Sequence, residues 1–319
     1  MRAIQVRQFG GPEELRLESV AVPEPGPGQV RVRVKAAGVN PVDTYWRSGT
    51  NPALPLPFTP GLDGAGIVEA LGAGVSRVRE GDSVYFGGWL SGAYAEQALL
   101  REAQAHRLPQ GATFSQGAAL HVPYATAHRA LFHRGQARPG EVVLVHGASG
   151  GVGMAATQFA LAAGLRVIAT AGSQRGREWL AAQGAHAVLD HSDPSYIDSI
   201  RGLTGGRGVD LILEMLSNVN LGKDLPLLAG GGRVVVIGSR GPVQINARDL
   251  MTREADVRGM SLFNVADDAL IAIHEAIAAG WRTGVVRPVV RREMPLAEAA
   301  AAHQAVLEAG AFGKIVLIP

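Results

Sequence analysis

The stretch that decides the fold is His146-Gly-Ala-Ser-Gly-Gly-Val-Gly153. Aligned on G-x-G-x-x-G, its three key positions are Ala148, Gly150 and Gly153. Gly150 lets the backbone approach a pyrophosphate, and Gly153 permits close contact between a helix and a strand. Gly147, beside the non-glycine first position, can still supply the tight turn. The pattern predicts a dinucleotide-binding loop whose phosphates lie at the N-terminus of the following helix.

Strand and helix patterns alternate around this loop. Short apolar runs typical of buried strands are Glu141–His146, Arg166–Thr170, Ala187–Asp190, Val209–Leu213, Arg233–Ile237 and Asp256–Phe263. Helix-forming segments after the first two runs are Met154–Ala163 and Arg175–Gln183. Alternation at this spacing predicts right-handed βαβ units and a parallel sheet. Six strands in two halves predict an α/β protein with a Rossmann domain.

The chain before this region has a different pattern. Residues 1–120 contain alternating runs, such as Ala3–Val6 and Val30–Val34, between clusters of glycine and proline. Short strands between tight turns indicate a small barrel or folded sheet. The pattern changes after Pro123, where the first strand–helix unit begins.

The C-terminal tail closes the first module. Two alanine-rich segments, Asp267–Gly280 and Pro295–Gly310, predict helices, and Lys314–Ile318 predicts a strand. A terminal strand needs a sheet partner, and we expect it in the β-rich module. The expected domains are therefore a discontinuous β-rich domain, residues 1–121 and 264–319, and a Rossmann domain, residues 122–263.

Composition excludes several classes of protein. The 319 residues are 47% hydrophobic and 18% charged, enough for a large buried core. The absence of cysteine excludes disulfides, thiolate zinc sites, iron–sulfur clusters and cysteine nucleophiles. The net charge of +2, with no run of five Lys or Arg, argues against a nucleic-acid partner. No signal-peptide core and no apolar stretch of about 18 residues is present, so we expect no membrane span and a cytoplasmic location.

The choice of dinucleotide is predicted by the residues after the second strand. An Asp or Glu at this strand end usually binds the ribose 2′-hydroxyl of NAD. Here Ala169-Thr-Ala-Gly-Ser173 contains no acid, and Arg175 and Arg177 follow. Arginines can bind a 2′-phosphate through charge-assisted hydrogen bonds. The sequence therefore predicts NADPH, the alternative being that both arginines are solvated residues of a helix face.

Several long motifs, in order along the whole chain, resemble one family. They are Phe9–Glu13, Gly38–Gly49, Thr59–Gly66, His146–Gly153, Glu214–Asn220 and Gly238–Gly241. On these motifs the chain resembles the zeta-crystallin-like NADPH:quinone oxidoreductases, a zinc-free branch of the medium-chain dehydrogenase/reductase superfamily. The resemblance implies a GroES-like domain packed on the Rossmann domain, with the active site in the cleft between them.

The resemblance also implies the cofactor, the assembly and the site residues. NADP would be bound without any metal, and the chain would form a homodimer or homotetramer through the edge strand Asp256–Asn264. The cofactor contacts carried over by motif are Tyr45, Ser149, Gly150, Gly151, Val152, Gly172, His191, Asn220, Ile237, Gly238, Ser239, Arg240, Met260, Ser261 and Leu262. Asn40, Asp43 and Tyr45 would occupy the substrate-side loop.

The residues themselves argue against a catalytic zinc. Asn40 and Leu62 stand where the zinc-dependent branch has a cysteine and a histidine ligand. His121 and His128 could share a helix face, but one pair lacks the ligand count of a zinc site, and Pro123 interrupts the segment. Without a metal Lewis acid, hydride transfer favours an acceptor that delocalises its own charge, such as a quinone or a conjugated enone.

Three polar residues are candidates for handling the acceptor. Tyr45 is the expected hydrogen-bond donor, Asn40 could orient the acceptor or the cofactor carboxamide, and Thr126 is expected to line the cleft. Each has a structural alternative: Asn40 starts a turn, Tyr45 packs in the domain interface, and Thr126 caps a helix. Three functions stay open, namely NADPH-dependent quinone reduction, reduction of conjugated C=C bonds in enones or alkenals, and NADPH binding without catalysis.

Overall fold

A computed structural model describes residues 1–88 and 90–319. Within these residues the β-rich module contains β1 (Arg2–Gln5), β2 (Arg16–Ser19), β3 (Gln29–Val39), α1 (Pro41–Arg47), β4 (Asp63–Leu71), β5 (Ser83–Gly87), β6 (Gln97–Arg101), β7 (Ala105–Arg107) and α2 (Phe114–Gly117). Short 3₁₀ turns lie at Pro12–Glu14 and Glu102–Gln104.

The half that contains the parallel sheet begins with a continuous helical segment. It consists of π-helical turns at His121–Ala125 and Arg129–Arg134 around α3 (Thr126–His128). The elements that follow are β8 (Val142–Val145), α4 (Gly151–Ala162), β9 (Arg166–Thr170), α5 (Gln174–Ala182), β10 (Ala187–Leu189), α6 (Tyr196–Leu203), β11 (Val209–Glu214), α7 (Ser217–Asp224), β12 (Leu228–Val236), α8 (Ala247–Met251) and β13 (Asp256–Gly259), with a 3₁₀ turn at Leu225–Leu227.

The tail contains α9 (Asp267–Thr283), β14 (Val290–Pro295), α10 (Ala299–Ala305) and β15 (Lys314–Ile318), with 3₁₀ turns at Leu262–Asn264 and Leu296–Glu298. Strand β15 pairs antiparallel with β3, for example Val316 with Gly38, and parallel with β14. The predicted partner of the terminal strand is therefore confirmed. The exact domain boundaries, after residues 121 and 263, stay a prediction.

The parallel sheet has the strand order β10-β9-β8-β11-β12-β13 in the described part of the chain. Numbered from its own first strand, this is the order 3-2-1-4-5-6 of a Rossmann fold. Strand β8 shows why the apolar run is continuous. Val143 and Val145 pack in the core on one face of the sheet, and Val142 and Leu144 pack in the core on the other.

The β-rich module is organised around β3, which pairs with β4, β6 and β15. Val30, Val32 and Val34 alternate with more exposed residues and point into the module's own core. The antiparallel sheet and the parallel sheet enclose one further core, which contains residues of both halves such as Tyr85 and Leu213. Across residues 1–88 and 90–319, no helix combines the length and apolarity that crossing a bilayer requires.

Three sequence predictions of local structure were wrong. The sixth strand ends at Gly259 rather than Phe263, because the chain then leaves the sheet and turns at Leu262–Asn264. The second tail helix is limited to Ala299–Ala305. Pro123 does not interrupt its segment, since the π-helical turns around it accommodate a residue without an N–H.

Candidate active site

The glycine loop has the geometry of an anion site. Gly147 has a φ of +55°, so it supplies the tight turn that Ala148 cannot. A side chain at Gly153 would collide with the backbone of Gly147 and Ala148, which explains the third glycine. Helix α4 begins at Gly151, and its cap residue Gly150 offers no side chain to bond the first-turn amides. These amides, together with the helix dipole, favour a negatively charged group at this position.

The C-terminal tail folds against the same loop. Gly313 donates its backbone N–H to the Ser149 carbonyl at 2.9 Å, and the Ser149 hydroxyl donates to the Ala311 carbonyl at 2.7 Å. Ser149 is buried, so its side chain holds the tail rather than facing open space. The glycine loop of one half and the segment directly before β15 are therefore joined by two hydrogen bonds.

A cleft of about 340 Å³ opens beside the loop, between the two halves. It brings together most of the predicted site residues, namely Asn40, Tyr45, Thr126, Gly150, Gly151, Val152, Gly153, Ile237, Gly238, Met260, Ser261 and Leu262. The predicted residues that do not line it are Asp43, Ser149, Gly172, Arg175, Arg177, His191, Asn220, Ser239 and Arg240. Thr126 lies inside the helical segment and so does not cap a helix.

Tyr45 connects the two walls of the cleft. The Arg240 guanidinium, in the loop after β12, donates from Nε to the Tyr45 hydroxyl oxygen at 3.0 Å. Tyr45 is half-buried on α1, while Arg240 is exposed. Because the phenol oxygen accepts this bond, its own hydrogen stays available for an acceptor in the cleft.

Asp43, in the first turn of α1, forms hydrogen bonds that hold the N-terminus of this helix in place. Its Oδ2 accepts the Asn40 backbone N–H at 2.8 Å and the Tyr94 hydroxyl at 3.3 Å. Its other oxygen, Oδ1, is buried without a partner among the described residues. Burial raises the pKa of Asp43 to about 7. Asn40 and Pro41 occupy the N-cap and first position of α1, so Asn40 also has the structural role expected of a turn residue.

Sequence reasoning missed two charged residues, Lys314, which lines the cleft, and Asp63, which is fully buried beneath it. The Lys314 ammonium donates to Asp63 Oδ2 at 2.6 Å and also to the side-chain oxygen of Asn40. The Asn40 Nδ2 donates to Asp63 Oδ2 at 3.0 Å, and the Val122 N–H donates to Asp63 Oδ1 at 2.7 Å. Lys314 stood out in the sequence only as one of three lysines, and no spacing links positions so far apart.

This arrangement does not fit a catalytic zinc at Asn40. The chain has no cysteine to supply a thiolate, and Leu62 is an apolar residue that is 2% exposed. The oxygens of Asn40 and Asp63 that could bind a cation already accept hydrogen bonds from the Lys314 ammonium. A zinc ion would have to compete with a buried positive charge for weak oxygen ligands.

His121 and His128, the histidine pair considered from the sequence, contact different partners. His121 Nδ1 lies 2.9 Å from His274 Nε2, whereas the His128 ring packs against Phe132 and Phe159. His106 joins the first group by stacking on His274, with ring centroids 3.7 Å apart. Nitrogen lone pairs lie in the ring plane, so two parallel stacked rings cannot direct them at one ion.

Asn220 belongs to a buried polar group beneath the glycine loop. Its Nδ2 donates to Glu214 Oε1 at 3.2 Å. His146, at the start of the loop, bonds to Asp224 with 2.8 Å between Nε2 and Oδ1 and lies 3.6 Å from Glu214 Oε2. Burial raises the pKa of Glu214 to about 7. The group links the ends of β8, β11 and α7 next to the glycine loop.

The two arginines predicted to bind the 2′-phosphate both lie on α5, after the end of β9, but they contact different partners. Arg177 pairs with Asp190, with 2.6 Å between Nη1 and Oδ2. The exposed Arg175 guanidinium lies 4.1 Å from the ring centroid of Phe312. A side chain at Gly172 would contact the His191 ring, so these two residues are also neighbours. Arg175 is thus the less neutralised of the two cations.

The site and the fold together define a class of protein, a nicotinamide-dinucleotide oxidoreductase with a GroES-like domain. The family models that match are the alcohol dehydrogenase GroES-like domain, over residues 26–110, and the zinc-binding dehydrogenase, over residues 151–278. A quinone oxidoreductase of Sus scrofa is 49% identical over 321 residues, covering 100% of this chain and 98% of the relative. The chain belongs to the quinone oxidoreductases of the medium-chain dehydrogenase/reductase superfamily, which confirms the resemblance.

Two solved structures show the same architecture. A mycobacterial protein, Rv1454c, complexed with NADPH has a TM-score of 0.94 and 31% identity, and the match covers 100% of both chains. An NAD-dependent alcohol dehydrogenase has a TM-score of 0.93 and 33% identity, again covering 100% of both chains. These proteins share a fold but differ in the cofactor that their descriptions name, so the choice of cofactor depends on local residues.

Proposed function

We propose that this chain reduces quinones with NADPH, in the cleft between its two halves and without a metal. The observation that carries the proposal is that the glycine loop and the polar residues expected to bind the acceptor line one cavity. The glycine loop at the start of α4 and the polar residues Asn40 and Tyr45 line the same cavity of about 340 Å³. A dinucleotide seated on the loop would extend toward these two residues. The quinone oxidoreductases that are 47–50% identical in sequence to this chain support this assignment.

The residues present fit a nicotinamide dinucleotide. The first-turn amides of α4, at Gly151 and Val152, would bind the pyrophosphate. We assign the 2′-phosphate to Arg175, whose exposed guanidinium lies over the Phe312 ring without a carboxylate partner among the described residues, and this assignment favours NADPH over NADH. Bound in this way, the reduced nicotinamide supplies a hydride. Gly238 lines the same cleft, and a side chain at this position would strike the Met215 carbonyl, so the loop after β12 requires glycine there.

The acceptor end of the cleft is mostly apolar, with a few convergent polar groups. Val42, Ile237, Met260 and Leu262 supply apolar surface. The Tyr45 hydroxyl can donate to the acceptor oxygen, where negative charge develops as hydride arrives. A quinone delocalises that charge over its ring, and its hydroquinone anion can take a proton from water. This chemistry does not require the strong Lewis acid that a simple ketone needs.

A direct assay tests the proposal. The purified protein is mixed with NADPH and either 1,4-benzoquinone or 9,10-phenanthrenequinone, and loss of the reduced-nicotinamide absorbance is followed. We expect oxidation well above the enzyme-free background, unchanged by prior dialysis against a chelator. Product analysis should show a hydroquinone or semiquinone, whereas a saturated carbonyl from a parallel enone assay would favour alkene reduction. No turnover with any quinone would refute the proposal.

We also propose that the chain forms a homo-oligomer through the edge of its parallel sheet. Strand β13 is the last strand in the sheet order, and Val257 on it is 40% exposed. Phe263, just beyond the strand, is 57% exposed. Met260, Leu262 and Phe263 all line the cleft, but Phe263 is exposed whereas Met260 and Leu262 are half-buried, so of the three only Phe263 would take part in pairing. Light scattering at micromolar concentration should give a dimer or tetramer mass, and a monomer mass would contradict this part.

A further inference from the structure

We propose that Lys314 is a positioning residue for acceptor reduction. It fixes the side-chain amide of Asn40 so that one N–H of that amide is presented as a donor to the acceptor oxygen. Lys314 and Asn40 both line the cleft, and Asp63 completes the group beneath them. The inference rests on the proposed function, because the donor it assigns serves the oxygen of a quinone or enone.

The hydrogen-bond pattern permits a single orientation of the Asn40 amide. The Lys314 ammonium has only donors and the Asp63 carboxylate has only acceptors. The amide oxygen faces the ammonium, and Nδ2 faces Asp63 Oδ2 at 3.0 Å. A flipped amide would place NH₂ against the ammonium and oxygen against the carboxylate, losing both bonds. Asn40 Nδ2 carries two hydrogens, and Asp63 accepts one, so the second is available to the cleft.

Burial makes this group rigid. Lys314 is 4% exposed, Asn40 is 3% exposed and Asp63 is fully buried. The ammonium and the carboxylate neutralise each other at 2.6 Å, and the other carboxylate oxygen accepts the Val122 N–H at 2.7 Å. Breaking such a pair would leave a buried charge without a partner, which is strongly unfavourable. Lys314 and Asp63 are the first residues of β15 and β4, and Asn40 directly follows β3, so the pairing of β3 with both strands sets their spacing.

A rigid donor at this place assists the reaction directly. Hydride transfer would break the nicotinamide C–H bond, leave the nicotinamide oxidised, and form a bond between that hydrogen and the quinone with the same electron pair. The electron pair displaced within the quinone ends on an oxygen, giving a hydroquinone anion that water then protonates. A donor already aimed at that oxygen stabilises the transition state without having to reorganise. A mobile amide would spend part of its time with its oxygen toward the developing negative charge.

Three variants separate positioning from a structural role. Lys314→Met removes the charge, Lys314→Arg keeps it, and Asn40→Ala removes the amide. We expect Lys314→Met and Asn40→Ala each to lower kcat by at least about tenfold, and by up to the roughly 10²–10³-fold that is typical of losing one oxyanion-hole donor. The Kd for NADPH should change less than about twofold. Lys314→Arg should retain more activity than Lys314→Met, because the guanidinium still donates to both oxygens.

A double-variant cycle provides the decisive readout. If Lys314 acts through Asn40, then Lys314→Met should cost less than about twofold in the Asn40→Ala background. With NADPH deuterated at the transferred position, the isotope effect on kcat should grow in both single variants. The proposal is wrong if the fold-losses in kcat of the two single variants multiply in the double variant, which would show that the residues act independently. It is also wrong if Lys314→Met leaves kcat unchanged or changes only KM.

Two controls keep the result interpretable. Lys314→Met/Asp63→Asn leaves no unpaired buried charge, and it should fold and show the same loss of kcat if the single variant is too unstable to measure. Glu141→Gln disrupts a comparable pair, in which Arg233 lies 2.7 Å from Glu141, away from the cleft. We expect Glu141→Gln to lower stability and leave kcat unchanged. An inactive wild-type protein would refute the proposed function, whereas an active wild type with an active Lys314→Met would refute only the role of Lys314.

Discussion

Replacing Arg175 with alanine should reduce the preference for NADPH over NADH. The Arg175 guanidinium is exposed and lies over the Phe312 ring at 4.1 Å. Arg177, in contrast, is already paired with Asp190 at 2.6 Å. A hydrogen bond to a charged group contributes about 1.5–3 kcal/mol, and an exposed site favours the lower value. About 1.4 kcal/mol corresponds to tenfold in affinity, so Kd for NADPH should rise about tenfold.

The same change should affect NADH by less than about twofold, because NADH has no 2′-phosphate to lose. Arg175→Ala/Arg177→Ala should weaken NADPH further, since Asp190 would then face the phosphate without its partner. Fluorescence titration of each cofactor at fixed ionic strength measures these constants. Arg201→Ala serves as control, because Arg201 is an exposed arginine that pairs with Asp198 on α6. Equal losses for NADPH and NADH in Arg175→Ala would refute the reasoning and make Arg175 a solvated surface residue.

Three further predictions concern buried and cleft side chains. Burial raises the pKa of Asp43 from an ordinary 3.8 to about 7, so protonated Asp43 stabilises the fold fully below pH 3.8, and this stabilisation is lost as the pH rises to 7. Between these pH values the free energy of unfolding should fall by up to about 1.4 kcal/mol per pH unit. Asp43→Asn should remove this pH dependence, which urea unfolding measures. Burial lowers the pKa of His106 from 6.5 to about 3, so neutral His106 stabilises the fold fully above pH 6.5, and this stabilisation is lost as the pH falls to 3. His106→Phe keeps an aromatic ring stacked on His274 and should shift the midpoint of acid unfolding to lower pH. An unchanged midpoint would contradict this prediction. Tyr45→Phe should lower kcat for quinone reduction about tenfold through one lost hydrogen bond to a developing charge. If Arg240→Leu, which keeps the phenol, shows an equal loss, Tyr45 serves only to join the cleft walls.

Short-range patterns were enough to predict much of the fold. The strand Arg166–Thr170 has the predicted bounds, and the parallel strand order follows from strand–helix alternation with right-handed crossovers. Predictions failed where a tertiary contact decided the end of an element. Nothing in Met260-Ser-Leu-Phe263 shows that the chain leaves the sheet, because apolar residues there face the cleft with the same hydropathy as residues of a strand.

The sequence by itself determined the dinucleotide loop, the family and the absence of thiolate ligands, since each of these depends on residues that are close together or on composition. Only the tertiary structure decided which charges meet. Lys314 lies 251 positions from Asp63 and 274 from Asn40, and β-sheet pairing brings the three into one hydrogen-bonded group at the cleft. A buried ammonium is stable only beside a carboxylate, but the sequence does not say which carboxylate. That choice depends on strand register, which is set by packing of the whole core.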